Sequence, residues 1–144
     1  MAVKTARRRA REIALQALYA WQLAGADALA EARSQEGWDR CDQVLADDLI
    51  RGVTGSAAEL ERRIAPVLDR AFTRLSPVER AILCIGAHEL AERPETPFKV
   101  ILNEAIELAK AFGGTDGYKY VNGVLEKLAA ELRPGEVAAA RQPA

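Results

Sequence analysis

An all-α fold is what this sequence predicts, and three observations predict it. Apolar residues recur at helical spacing and nowhere alternate as a strand would. Alanine and leucine recur through a hydrophobic share of 49%, with few aromatics. Prolines and glycines gather at intervals that mark off helix-length segments. At 144 residues the chain is long enough to bury a real core. The expectation is a single compact domain over residues 1–133, with about six to seven helices in two stacked halves. The N-terminal half reaches about residue 75, the C-terminal half starts near residue 76, and 134–144 reads as a flexible tail.

The first helix is expected over about residues 6–23, where Ala10, Ile13, Ala14, Ala17, Leu18 and Trp21 share one face at 100° per residue. Residues 25–37 read as a loop with room for a short helix at "DALAEARSQ". A second helix from near Asp39 places Cys41, Val44, Leu45, Leu49 and Val53 inward. It continues or bends at "GVTGS" into a segment carrying Leu60, Ile64, Val67 and Leu68, which Pro66 should kink or end. "SPVE" is a capping box with proline at the first helical position, Ser76 and Glu79 being the reciprocal pair. It opens a helix over about residues 76–91. "TP" at Thr96 and Pro97 opens the next, with Val100, Ile101, Ala105, Leu108 and Phe112 inward and Gly113 as C-cap. After "GGTDG" comes a last helix over about residues 117–132, striped by Val121, Val124, Leu125, Leu128 and Leu132.

Charge is distributed unevenly. The net value is −1, yet Lys4, Arg7, Arg8, Arg9 and Arg11 crowd the first eleven positions without an acid, leaving 15 basic against 21 acidic residues elsewhere. Such asymmetry suggests a basic arm for a polyanion on an acidic body. A merely solvated helix start is the plainer reading, weakened because positive charge opposes the dipole at a helix N-terminus. A transit peptide also competes, but the apolar period runs on through Trp21 as core would. Cys41 and Cys84 lack metal-ligand spacing and read as buried thiols of a reducing cytoplasm. No run reaches transmembrane length.

Catalysis finds no foothold. The single histidine, His88, sits mid-helix among apolar residues, and the carboxylates fall at ordinary helix-surface spacings. "GGTDG" matches no phosphate-cradling loop and follows no strand. The chain therefore reads as no enzyme, with no cofactor and no metal.

Two surfaces remain. On the first helix Lys4, Arg7, Arg8 and Arg11 fall within an arc of about 100° beside the apolar stripe. Tyr19 continues that line, with Glu12 and Gln16 beside it. Basic residues tracking a backbone, with an aromatic to stack a base, are the parts of a single-stranded nucleic-acid site. A tyrosine packed on a neighbouring helix satisfies the same geometry. On the last helix Asp116, Lys119, Tyr120, Gly123 and Lys127 share the face opposite the leucines, while Tyr118 falls on the buried side. Tyr120 then reads as an exposed aromatic between two lysines, and Asp116 as a helix cap, a hydrogen-bond acceptor for bases, or both.

"RRRAREIALQALYAWQ", "PVERAILCIGAHEL", "TPFKVILNEAIELAKAFG" and "YKYVNGVLEKL" together resemble the transcription antitermination factor family NusB, in the same order and over about residues 4–133. The resemblance implies an all-α fold of two helical subdomains. It implies binding of boxA RNA together with the ribosomal protein NusE, and loading onto elongating RNA polymerase with other Nus factors. It places Lys4, Arg7, Arg8, Arg9, Arg11, Asp116, Lys119 and Tyr120 on RNA, and Tyr19 and Glu79 near the seam of RNA and NusE. Family members often carry Ser-His where this chain has Gly117 and Tyr118, and an exposed Phe at Tyr120. Two other functions stay in view: an accessory domain of an RNA methyltransferase, and a helical adaptor or homodimer that touches no RNA.

Overall fold

A computed structural model describes residues 4–114 and 116–142. Among those residues it holds eight α-helices, three short 3-10 turns and no strand. The helices are α1 Ala6–Ala24, α2 Ala28–Ser34, α3 Gln43–Gly55, α4 Ala57–Ile64, α5 Pro77–Glu92, α6 Phe98–Phe112, α7 Gly117–Leu132 and α8 Pro134–Arg141. The all-α expectation holds, with the count one above the expected range because α8 replaces the expected tail. Two compact units emerge, Met1–Ala57 and Ala58–Ala144. Residues 58–75, assigned from sequence to the N-terminal half, lie with the second unit, where the 3-10 turn Ala65–Val67 packs on α7.

In the first unit Thr5 caps α1, its hydroxyl accepting the Arg8 N–H at 3.0 Å. α1 adjoins α3 and α2, and the three bury Ile13, Ala14, Ala17 and Leu18, then Leu45, Leu49 and Val53, then Ala28 and Ala32. Asp42, not Asp39, starts α3: its carboxylate accepts the Leu45 N–H at 3.0 Å, while its own N–H donates to the Ala6 carbonyl at 2.9 Å. Trp38–Arg40 is a 3-10 turn instead. That later start leaves Val44 78% exposed and Cys41 only half-buried, correcting their inward assignment. Gln35 ties the end of α2 to α1 by donating to the Ile13 carbonyl at 3.0 Å.

The second unit is built around α5, in which all ten residues from 81 to 90 are buried. The Ser76–Glu79 capping box forms as the sequence predicts. A Cβ at Gly86 would sit 2.9 Å from both Leu125 methyls, so glycine lets α7 approach α5 closely. Pro66 does end α4, which passes into the 3-10 turn Ala65–Val67. Gly113 ends α6 as expected but in an extended conformation, and a Cβ there would lie 2.7 Å from the Ala109 carbonyl. Val100 and Phe112, expected inward, are exposed at its two ends.

Residues 134–141 form α8 where the sequence suggested a tail. Arg133 is buried, and its guanidinium donates to the carbonyls of Glu89, Leu90 and Arg93 at the end of α5 and to that of Thr96. It also bonds the Glu136 carboxylate at 3.0 Å. The other Glu136 oxygen accepts the Phe98 N–H at 2.8 Å, capping α6 across 38 positions of sequence. Positive charge at one helix C-terminus and negative charge at another N-terminus both suit the helix dipoles. Val137, buried, completes the anchor of α8.

Candidate nucleic-acid interface

The basic edge begins in the first turn of α1, where Arg7, Arg8 and Arg9 follow the Thr5 cap in a turn that holds no acidic residue of its own. Arg7 is exposed, and Arg8 and Arg9 are half-buried. Lys4 is exposed and pairs with Glu12 at 2.8 Å. Arg11 departs from expectation: it is 2% exposed. It lies about 20° from Leu18 around the helix axis, inside the apolar stripe, so its side chain is not presented at the surface. Tyr19 is 40% exposed, which leaves ring surface for stacking. The edge thus comprises Lys4, Arg7, Arg8, Arg9 and Tyr19, without Arg11.

The second unit gathers the other predicted residues around the start of α7. Asp116 holds the N-cap position but makes no side-chain cap bond; its carboxylate, 76% exposed, faces Lys119 at 3.6 Å. The capping alternative is therefore excluded, and the acceptor alternative keeps its geometry. Glu79 points both ways. One oxygen accepts the Ser76 N–H at 3.3 Å, closing the box, while the other lies 3.9 Å from where a Gly117 side chain would start. A side chain at that position would meet this carboxylate; glycine leaves the space open.

Tyr120 differs from the expected free platform. It is half-buried, and the Arg70 guanidinium carbon stands 4.1 Å from its ring centroid. Arg70 in turn pairs with Asp69 at 2.9 Å. Burial, then the neighbouring Asp69 carboxylate, raises the Tyr120 pKa, although no hydrogen bond of regular geometry reaches its hydroxyl. The Arg70 hydrogen bond holds Asp69 below the usual carboxylate range. Tyr118 is half-buried, with Lys110 and Lys119 ammonium groups 5.1 and 6.0 Å from its ring centroid. Gly123, a turn after Tyr120, has nothing within 4 Å of a would-be Cβ, so a ligand backbone has room there.

Comparison with known proteins shows the family of the chain. The model of the NusB family matches residues 8–130. Proteins called transcription antitermination protein NusB in Burkholderia mallei and Burkholderia pseudomallei are 52% identical over 141 residues, covering 96% of this chain and 97% of theirs. The chain belongs to the NusB family. A solved NusB structure from T. maritima superposes with a TM-score of 0.81 at 29% identity, covering 95% of this chain and 99% of that one. A structure of antitermination factors NusB and NusE in complex with dsRNA shares the fold, with a TM-score of 0.73 at 23% identity over 88% of this chain and 97% of that one.

Within this NusB fold the predicted residues fall into two sets. Lys4, Arg7, Arg8, Arg9 and Tyr19 belong to the first unit; Glu79, Asp116, Lys119 and Tyr120 come together in the second. Asp69, Arg70 and Lys110 were missed. Asp69 and Arg70 lie between 3-10 turns, where no helical period assigns a side chain to a face. Lys110 looked like ordinary helix surface. Among the described residues no helix is long and apolar enough to cross a membrane, and no cluster of candidate metal ligands forms.

Proposed function

We propose that this chain is an RNA-binding transcription antitermination factor that binds boxA-type single-stranded RNA together with NusE and helps load the pair onto elongating RNA polymerase with other Nus factors. The single observation that carries the reading is 52% identity to transcription antitermination proteins along nearly the full length of both chains. Geometry supports a division of labour. Arg7, Arg8 and Arg9 with Lys4 neutralise phosphates. Asp116, Lys119 and Tyr120 meet unstacked bases. Tyr19 and Glu79 border the partner surface. The protein acts in the cytoplasm as an adaptor, not an enzyme, and a homodimer is an alternative use of its partner surface.

A salt titration of binding to boxA RNA, beside a scrambled RNA of equal length, tests this function. Each phosphate contact on a single strand contributes about −0.7 to the log–log slope. The expected result is a steep slope and a preference for boxA; a flat response or equal binding refutes the reading. Arg7→Ala weakens both RNAs alike, whereas Asp116→Asn changes the preference between them. Parallel losses for both variants contradict the division of labour.

A further inference from the structure

We infer that Arg70 is a displaceable cover on the Tyr120 ring, which leaves that ring when a nucleobase stacks and takes a phosphate of the same strand. The inference rests on the RNA-binding reading above and assigns to it a residue that the sequence did not mark. The guanidinium carbon lies 4.1 Å from the ring centroid, within stacking distance. The Tyr120 hydroxyl is buried, so the ring enters the fold by its far end. Arg70 keeps 43% of its side chain exposed and so forms the outer layer over a half-buried ring. A planar cation on that face imitates the ligand a stacking platform is built to receive.

What holds the cover is weak. Its ion pair with Asp69, at 2.9 Å, joins two exposed side chains. The cation–π contact is made by a guanidinium whose side chain is 43% exposed, which keeps it modest. A nucleobase brings a larger planar surface and a phosphate about one nucleotide away, and the freed guanidinium can grip that phosphate with two parallel N–H donors. Asp69 lies beside Arg70 in sequence and recaptures the side chain when RNA leaves. The closed and open states therefore differ by the exchange of one ring partner and one anion.

The test is a salt titration of the full chain on a short single-stranded RNA, comparing wild type, Arg70→Ala, Arg70→Lys and Tyr120→Ala. For Arg70→Ala the slope becomes shallower by about 0.7, the loss of one phosphate contact. The same variant binds about two- to fivefold more tightly at high salt, where the uncovered ring dominates. Arg70→Lys keeps the wild-type slope. Tyr120→Ala weakens binding at every salt concentration and abolishes the high-salt gain of Arg70→Ala. An unchanged slope, or a uniform loss as expected of a residue that merely props the ring, overturns the inference while RNA binding stands. A wild type with no salt response, indifferent to Tyr120→Ala, overturns the RNA-binding reading itself and this inference with it.

Discussion

Replacing Arg133 with methionine keeps a long side chain but removes every polar contact the guanidinium makes. Those contacts run to the carbonyls of Glu89, Leu90, Arg93 and Thr96 and to the Glu136 carboxylate, at 2.6–3.0 Å. Glu89 and Arg93 carbonyls also accept the N–H groups of Arg93 and Thr96, so part of the loss is cushioned. Two or three unreplaced bonds from a charged donor, at about 1.5–3 kcal/mol each and less than additive, give a cost of about 3–5 kcal/mol. Against a typical domain stability of about 5–15 kcal/mol that is a large fraction. It corresponds to a fall in Tm on the order of 10 °C. Urea and thermal melts followed by far-ultraviolet circular dichroism measure it. A loss below about 1 kcal/mol would show that water replaces Arg133 at no penalty, refuting the view that it staples α8 to the ends of α5 and α6.

Glu136 carries a pH signature. Its carboxyl is held below the ordinary value of 4.5, first by the Phe98 N–H and then by Arg133. A depressed folded pKa means the stabilisation is complete above about pH 4.5 and is lost as pH falls through the lower folded value. The stability gap between wild type and Glu136→Gln accordingly narrows on acidification; a gap constant from pH 7 to pH 3 contradicts this. The thiols should separate cleanly under alkylation. Burial pushes the Cys84 thiol up to about 12, so it stays unmodified until unfolding, while half-buried Cys41 reacts first. Gly86→Ala forces the Leu125 methyls to move in a filled core and costs about 1 kcal/mol net of the helix propensity gained. Gly86→Ala with Leu125→Val recovers part of that loss if the contact is its cause.

Much of the fold was legible because its signals are local. The Ser76–Glu79 box, the α1 period and the stripe on α7 each need only a few neighbouring residues, and each forms, with Trp21 and Leu132 half-buried at the ends of their stripes. What escaped depends on contacts between distant positions. No local pattern shows that Glu136 caps Phe98, so the last segment looked like a tail, although its proline and alanines suit a helix once Arg133 is anchored. Val44 was misplaced because a cap at Asp42 shifts the phase of α3. The site was half legible in the same sense. Clustered arginines mark a basic edge, but a wheel cannot separate an edge residue from an interior one, and Arg11 crossed that line. Tyr120 was found by its face, whereas Arg70 over its ring belongs to a segment without period.

In the proposed function two polar surfaces of one chain serve a single RNA in company with a protein partner. Its most direct measurement is the coupling free energy among this chain, NusE and boxA RNA, taken from binding titrations of each pair and of all three. The expected ternary complex is more stable than the two binary affinities combine to give, and Tyr120→Ala erodes RNA affinity both with and without NusE. Additive affinities, with NusE leaving RNA binding unchanged, would contradict it.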